Sequence, residues 1–228
     1  MSGEPRRVVL LDDPDWDDLG SPIVQFRLTY AGQLEPFNSR RSQVAHQHKI
    51  RRAFHPQLKR LWEEHPAFAP FWRPTEWVDE VDGGTPGGNE TWPEFLARNF
   101  ARNGYNFVPL VNRWMKVACR IDVLYLRPKP PGDIIKAGDI DNRLKTLFDA
   151  LKMPSASADL GEHKTPNADE QPFYCLLEDD GFITSVSVEA DMMLEPFETA
   201  QPGIRDARLV LTVTLRPYVG TGLNLTLG

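Results

Sequence analysis

The chain has 228 residues and the composition of an ordinary globular protein, with 41% hydrophobic and 25% charged residues. This length suits one domain with a substantial core, and no apolar run approaches the 18 or so residues that predict a membrane span. The formal net charge of -6 excludes a uniformly basic nucleic-acid coat, so a DNA-binding surface has to concentrate positive charge locally.

The amino terminus and the cysteines predict a cellular compartment. Residues 1–22 contain an acidic run with Pro and Gly, which predicts a solvated arm and is unlike the positive start of a signal peptide. The two cysteines, Cys119 and Cys175, do not form a disulfide framework in a chain of this length, and we expect both to be reduced. The sequence therefore predicts a cytoplasmic protein.

A strand and a basic helical segment follow the arm. β-branched and aromatic residues at 23–30 predict the first strand, ended by Gly32. Residues 39–60 fit a helical pattern without an acidic residue, and Pro56 predicts the start of a second helix because an interior proline breaks one. The alternatives for this segment are a solvated helix face or a DNA contact. The candidate DNA contacts are Arg40, Arg41, Lys49, Arg51, Arg52, Lys59 and Arg60.

The middle of the chain contains a proline-, glycine- and tryptophan-rich stretch at 66–92, which predicts an inserted loop. A short helix is expected near Pro93, followed by strands at 105–111 and 116–126. We expect the tryptophans to pack in the interior, with stacking on unpaired bases as the alternative. These residues are Trp62, Trp72, Trp77 and Trp92.

The histidines of the basic segment do not predict a metal pair. His46 and His48 are two residues apart, and on a helix these positions point to nearly opposite sides. No cysteine or histidine cluster lies nearby in the sequence, so we expect both side chains at the surface.

Residues 140–151 predict an amphipathic helix, because apolar residues recur there at spacings of three and four until Pro154 stops the pattern. Asp141, Lys145 and Asp149 fall in a row along one edge of the apolar stripe, where a cleft can form. Asp139 lies just before the helix, so it and Asp141 are at the positive end of the helix dipole. Helix capping and an ordinary ion pair explain these residues if they are taken alone.

A second acidic element, 178–180, precedes a strand predicted at 183–190, and a last strand is predicted at 207–215. Together the two acidic elements supply the oxygen-rich environment that magnesium prefers. A cation there activates water and neutralises charge on a phosphate, and Lys145 adds a positive charge for the transition state. This combination indicates phosphodiester hydrolysis.

The two elements resemble the RusA family of Holliday junction resolvases. The family carries Asp-x-Asp-Asn-x-x-Lys-x-x-x-Asp-Ala-Leu and later Asp-Asp before a strand, and the similar positions span about residues 105–216. The interval from Leu151 to Asp179 is longer than in the family, and residues 33–104 are expanded. The matching residues are Asp139, Asp141, Asn142, Lys145, Asp149, Ala150, Leu151, Asp179 and Asp180.

The resemblance implies an α/β fold of the α+β type, with a small mixed sheet packed by helices, and a symmetric homodimer. It implies a crossover junction endodeoxyribonuclease of DNA recombination and repair that makes paired nicks in four-way junctions with Mg²⁺, or Mn²⁺. Asp139, Asp141 and Asp180 are the implied metal ligands and catalytic acids. Lys145 is the implied phosphate contact, Asp179 a structural neighbour, and Asp149 a support for the ligands.

The resulting interpretation is one nuclease domain at 23–228, with insertions at about 33–104 and 152–178. Three alternatives remain open. One is a protein of the same fold that binds branched DNA without cutting it. Another is a nuclease for other branched or single-stranded nucleic acids. The last is a protein-interaction module in which the carboxylates are only helix caps.

Overall fold

The computed structural model describes residues 24–36, 40–74, 86–128, 140–163, 165–194, 206–221 and 224–227. The acidic arm predicted at 1–22 lies outside these ranges, as do Asp139 and Trp77. Within the described residues, no helix combines the length and apolar character that crossing a membrane requires.

Seven strands and three α-helices make up the described fold, joined by short 3₁₀ helices. In chain order they are β1 (Gln25–Gln33), α1 (Arg40–Glu64), α2 (Trp92–Asn99), β2 (Ala101–Arg102), β3 (Tyr105–Val111), β4 (Val117–Arg127), α3 (Ile140–Leu151), β5 (Phe173–Leu177), β6 (Ile183–Met192) and β7 (Asp206–Pro217). The 3₁₀ helices are Pro66–Trp72, Ser157–Leu160, Ala168–Glu170, Asp180–Phe182 and Asn224–Thr226.

Two mixed sheets form the framework. The larger sheet has the order β1-β7-β4-β6, in which only the β4–β6 pair is parallel. The smaller sheet has the order β2-β3-β5, with β3 and β5 parallel. The predicted α+β class is confirmed, but the strands are divided between two sheets rather than gathered in one.

The strands of the larger sheet bury one face, as their alternating sequences predict. Leu209, Leu211 and Val213 of β7 are fully buried and alternate with half-buried residues. The strands predicted at 105–111, 116–126, 183–190 and 207–215 are all present, with ends that differ by at most two residues. The first strand does not end at Gly32, because that glycine pairs with Ala207 and the strand continues to Gln33.

β5 is a buried strand at the edge of the smaller sheet, and the sequence analysis did not predict it. All five of its residues are buried, and it pairs in parallel with β3. A strand that is covered on both faces has no polar alternation, which is the pattern that was used to recognise the other strands. β5 leads directly to the acidic element at 178–180, so it fixes the position of that element in the fold.

α1 is one continuous helix, and the predicted break at Pro56 is wrong. Pro56 is exposed, and it lacks the N–H that would bond one turn back. The side chain of Gln57 donates at that turn to the carbonyls of Ala53 (2.9 Å) and Thr29 (2.8 Å). Packing of α1 against β1, β5 and α3 outweighs the local cost of the proline.

The predicted loop at 66–92 contributes to the core where it is described. The 3₁₀ helix Pro66–Trp72 buries Phe68 and Phe71. The helix expected near Pro93 is α2, and Thr91 and Glu94 close its amino terminus with a capping box. Trp62 and Trp92 are fully buried, which confirms core packing for those two tryptophans.

Candidate functional site

α3 carries the charged motif residues Asp141, Lys145 and Asp149 along one side of the helix. Its opposite face buries Leu147, Ala150 and Leu151, which confirms the predicted amphipathic helix. Asp141 and Lys145 are exposed, and Asp149 is half-buried. The Asp141 carboxylate accepts a hydrogen bond from the backbone N–H of Asn142 (2.8 Å), an ordinary contact for the first turn of a helix.

A cleft of about 360 Å³ runs between α1 and α3. Polar side chains from both helices line it, and residues 153–159 close one end. The predicted edge of α3 therefore borders a cleft, and Lys145 and Asp149 are both on its wall. The polar lining side chains that matter here are Gln43, Gln47, Arg51, Lys145, Asp149 and Lys152.

Lys152 joins the two acidic elements. Its ammonium Nζ lies 3.0 Å from Asp149 Oδ1 and 3.0 Å from Asp180 Oδ2. Gln47 holds the other oxygen of Asp149, donating from Nε2 at 3.1 Å. Asp149 and Asp180, which are far apart in the sequence, are thereby fixed around one positive charge.

The pKa shifts of Asp180 and Lys152 follow from their burial and from their pairing with opposite charges. Partial burial raises the pKa of Asp180, but the hydrogen bond and the charge of Lys152 outweigh it, so the pKa lies below its usual range. Burial lowers the pKa of Lys152, and its bonds to Asp149 and Asp180 reverse the effect, so the net shift is upward. Asp180 and Lys152 are therefore both charged at neutral pH.

The acidic element at 178–180 has a different role at each residue. Glu178 accepts from the backbone N–H of Arg113 and pairs with its guanidinium, both at 3.0 Å. Asp179 caps the 3₁₀ helix Asp180–Phe182 by accepting from the N–H of Gly181 (2.9 Å). Asp180 is left as the exposed carboxylate that faces Lys152.

Asp141 and Asp180, the two expected metal ligands that lie in the described part of the chain, are not brought together. Asp141 is in the first turn of α3, whereas Asp180 contacts Lys152, which follows the last turn. The 11 residues from Asp141 to Lys152 correspond to about 16 Å along a helix axis, and Mg²⁺ binds its ligands at about 2.1 Å. Within the described ranges, no three His, Cys, Asp or Glu side chains are placed to hold a metal ion.

Arg51, a predicted DNA contact, is buried and lines the cleft from the side of α1. Its guanidinium donates from Nη2 to the carbonyl of Asp149 (2.9 Å) and from Nε to the carbonyl of Lys152 (3.1 Å). These are carbonyls at the end of α3, where a helix leaves its last acceptors unpaired. Burial lowers the pKa of Arg51 to about 10, which still leaves it charged at neutral pH.

The other basic candidates on α1 differ in their surroundings. Lys49 is exposed, and the exposed Arg52 pairs with the buried carboxylate of Glu170. Arg60 pairs with Glu64 at 2.7 Å, and Lys59 lies 4.0 Å from Glu63. The side chains of Arg40 and Arg41 lie outside the described part of the chain.

The expectation that both histidines lie at the surface is wrong for His48, which is 1% exposed. His46 is half-buried and accepts a hydrogen bond at Nε2 from the backbone N–H of Glu35 (3.1 Å). His48 packs among the rings of Tyr105, Phe173 and His163. This tertiary cluster has no signal in the local helical pattern.

The fold and site together define an α+β protein with a charged cleft between two helices. A scan against protein-family models, a search of curated proteins and a search of solved structures each find no match. The sequence analysis missed Lys152 and Gln47 as members of the site. The spacing of three residues from Asp149 to Lys152 was a usable signal, whereas the approach of Gln47 depends on the packing of α1.

Proposed function

We propose that this protein is a metal-dependent endonuclease that resolves four-way DNA junctions by paired nicks, in recombination and repair. The observation that carries the proposal is the row of Asp141, Lys145 and Asp149 along one side of α3, of which Lys145 and Asp149 line a cleft. The resemblance of this helix and of the later Asp-Asp pair to RusA resolvases gives the reaction class. The extended row of charges suits a phosphodiester backbone better than a small neutral substrate.

The metal of this proposal is Mg²⁺ or Mn²⁺, and the residues fit it only in part. Asp141 is an exposed carboxylate at a helix start, and Mg²⁺ is commonly held by one or two carboxylates, with water and substrate phosphates as the remaining ligands. Asp139 is proposed as the second ligand. Asp180 does not reach that end of α3, since its carboxylate is held by Lys152. The ion supplies charge neutralisation and an activated water.

The protein's own side chains position the phosphate. Lys145 lies one helical turn after Asp141. In this proposal its ammonium contacts one oxygen of a phosphate, and a second oxygen of that phosphate faces the end of α3 where Asp141 lies. Lys152 lies about two turns further on, where Asp149 and Asp180 orient its ammonium and offset its charge. In this proposal Asp180 is an essential acid because it fixes Lys152 beside the substrate.

Paired nicks require two such sites related by symmetry, and the proposal therefore includes a homodimer. The exposed lysine of α1, Lys49, and the partly exposed Lys59 are proposed to contact the arms of the junction. Arg52 and Arg60 are exposed as well and are proposed as weaker contacts, because Glu170 and Glu64 hold them at 2.5 Å and 2.7 Å, whereas Glu63 lies 4.0 Å from Lys59.

The test is cleavage of a labelled synthetic four-way junction and of linear duplex, with magnesium and with chelator. Asp141→Asn should abolish cleavage while binding in chelator is retained, because the change removes a charge and leaves the shape of the side chain. Asp191→Asn is the matched control. Asp191 is also exposed and also accepts from the N–H of the next residue, at 2.7 Å.

The expected result is magnesium-dependent paired nicking by the wild type and by Asp191→Asn, and none by Asp141→Asn. Full activity of Asp141→Asn would remove the site from the proposal. Cleavage of flaps or single strands in preference to junctions would keep the nuclease and change its substrate. Binding of the junction without cleavage of any branched substrate would overturn the enzyme and leave a junction-binding protein.

A further inference from the structure

β6 is an open edge of the larger sheet. Among the described strands it pairs with β4 alone. The N–H of Met193, just after β6, donates to the carbonyl of Arg127 in β4 (2.8 Å). Because backbone groups point alternately to the two sides of a strand, the N–H and C=O groups of Val186, Val188 and Ala190 point away from β4. They form a row of donors and acceptors that no other described strand meets.

The opposite edge of the same sheet, β1, is covered instead. The side chain of Gln57 in α1 accepts from the N–H of Thr29 (2.9 Å) and donates to its carbonyl (2.8 Å). Along β6 one outward N–H is covered in a similar way, that of Met192, which donates to Asp191 (2.7 Å). The ten residues of β6 include no proline, lysine or arginine, which are residues that protect a sheet edge from pairing. The fold therefore covers one edge and leaves the other available.

The open edge also exposes apolar surface. Val186, in the middle of β6, is 42% exposed and is one of three exposed large hydrophobic residues in the described chain. It lies on the core-facing side of the sheet, because it pairs with the buried Ile121. Val188 is the next residue on that side and is half-buried. A strand laid along β6 would remove both valines from water, so that apolar burial adds to the backbone hydrogen bonds.

The charges of β6 match a second copy of the strand. Both acidic residues, Glu189 and Asp191, lie in its carboxyl-terminal half. An antiparallel copy centred on Ser187 carries its own acids to the other end, so Glu189 faces Ser185 and no acid faces an acid. The exposed valine of each copy then faces the half-buried valine of the other, and the N–H that Asp191 already occupies stays outside the pairing.

We propose that β6 pairs in antiparallel orientation with β6 of a second copy of this chain, so that two four-stranded sheets become one continuous sheet. The two-fold axis is perpendicular to the sheet and keeps both core-facing sides on one side. α3 lies on that side, since Arg143 of α3 donates to the hydroxyl of Tyr125 in β4 (3.4 Å). One four-way junction can therefore contact both α3 helices. This inference rests on the proposed function in one respect, which is that paired nicks need a second copy of the site.

The experiment is sedimentation of the full chain at micromolar concentrations, without DNA or magnesium. Val186→Pro removes an outward N–H and no bond to β4, and proline is accepted at a sheet edge in such a position. We expect a dimer for the wild type, and at least about tenfold weaker association for Val186→Pro, because two intermolecular hydrogen bonds are lost by symmetry. Val186→Thr is the matched control. It keeps the N–H and the branched shape and should still form the dimer.

A pair of charge variants tests the register without a change in the backbone. Ser185 is exposed, and the proposed register places it opposite Glu189 of the other copy. Ser185→Lys should tighten the dimer about fivefold and Ser185→Glu should weaken it about fivefold, since each change acts twice. The controls are Gln33→Lys and Gln33→Glu, which make the same charge changes at an exposed position of β1. Both should leave the dissociation constant nearly unchanged.

A monomeric wild type would overturn the inference. A dimer that is indifferent to Val186→Pro and to the sign of the charge at position 185 would overturn it as well, because the copies would then meet through another surface. Failure of the proposed function is recognised separately, since junction cleavage plays no part in these measurements. Dimerisation through β6 without cleavage would leave the interface and remove the nuclease, whereas cleavage by a monomer would leave the nuclease and remove the interface.

Discussion

At the scale of single residues, His48 couples the fold to pH. Its pKa in the folded protein is about 3, compared with 6.5 for an unperturbed histidine, because burial disfavours the charged ring. Below pH 6.5 the unfolded chain takes up a proton that the folded chain does not. Stability therefore falls as the pH falls from 6.5 towards 3, and above 6.5 this residue contributes no pH dependence.

The predicted slope is up to about 1.4 kcal/mol per pH unit in that window. His48→Phe should show a shallower loss of stability between pH 7 and pH 5 than the wild type, because the proton uptake of the unfolded state has been removed. Urea unfolding at several pH values measures the difference. Identical slopes for the two proteins, or a His48 ring that titrates near pH 6.5 by NMR, would contradict the burial of this ring.

Lys152 shows at the same scale how a residue of the site escapes prediction. The motif residues of α3 were recognisable because their spacing follows the helix. Lys152 lies just after the helix, and its importance comes from Asp180, which reaches it only because β5 returns the chain to the end of α3. The sequence analysis named Asp180 but not Lys152, because only the folded chain brings the two residues together.

At the scale of elements, the contact between α1 and α3 depends on Arg51. The last carbonyls of α3 are unpaired within the helix, and the guanidinium of Arg51 accounts for two carbonyls at this end, those of Asp149 and Lys152. The same carbonyls belong to the residues that form the charged end of the cleft. Arg51, which was predicted as a DNA contact, therefore ties this end of the cleft to α1.

Arg51→Met should destabilise the protein by about 2 kcal/mol, because two partly buried carbonyls lose charge-assisted hydrogen bonds. Denaturant unfolding measures the change. Arg60→Met is the matched control on the same helix, since Arg60 is exposed and pairs only with the exposed Glu64. It should leave the free energy of unfolding nearly unchanged. A similar loss in both variants would mean that Arg51 has no capping role.

The elements also show what periodicity can predict in this protein. α3, β4 and β7 each have one buried face, and their patterns predicted them within two residues. β5 is apolar throughout because it is covered on both sides, so it was missed. Pro56 was expected to interrupt α1 on local grounds, and the contacts of α1 with three other elements override that preference.

At the scale of the whole molecule, the two sheets share one hydrophobic core. Cys119 in β4 and Cys175 in β5 belong to the same buried cluster, although their strands are in different sheets. Both thiols are free, as the sequence predicted, and burial raises the pKa of each to about 12. A thiol that is buried and protonated is unreactive until the structure around it opens.

Neither thiol should react with a thiol reagent under native conditions, and both should react in denaturant. With the single-thiol variants Cys119→Ser and Cys175→Ser, we expect the two remaining thiols to become reactive over the same range of denaturant, because one core unfolds as one unit. Reactivity of Cys175 at clearly lower denaturant would show instead that the smaller sheet opens independently.

The connection between α3 and β5 begins and ends at neighbouring points. The N–H of Met153 donates to the carbonyl of Leu177 (2.9 Å), and Lys152 forms an isolated bridge with the same residue. Because the closed ends fix Asp149 and Asp180, extra residues at the exposed stretch 155–158 add only loop-closure entropy, about 0.6 kcal/mol for each doubling of loop length. Evolution can therefore lengthen or shorten this stretch, while Asp149 and Asp180, at the two ends of the connection, keep their spacing.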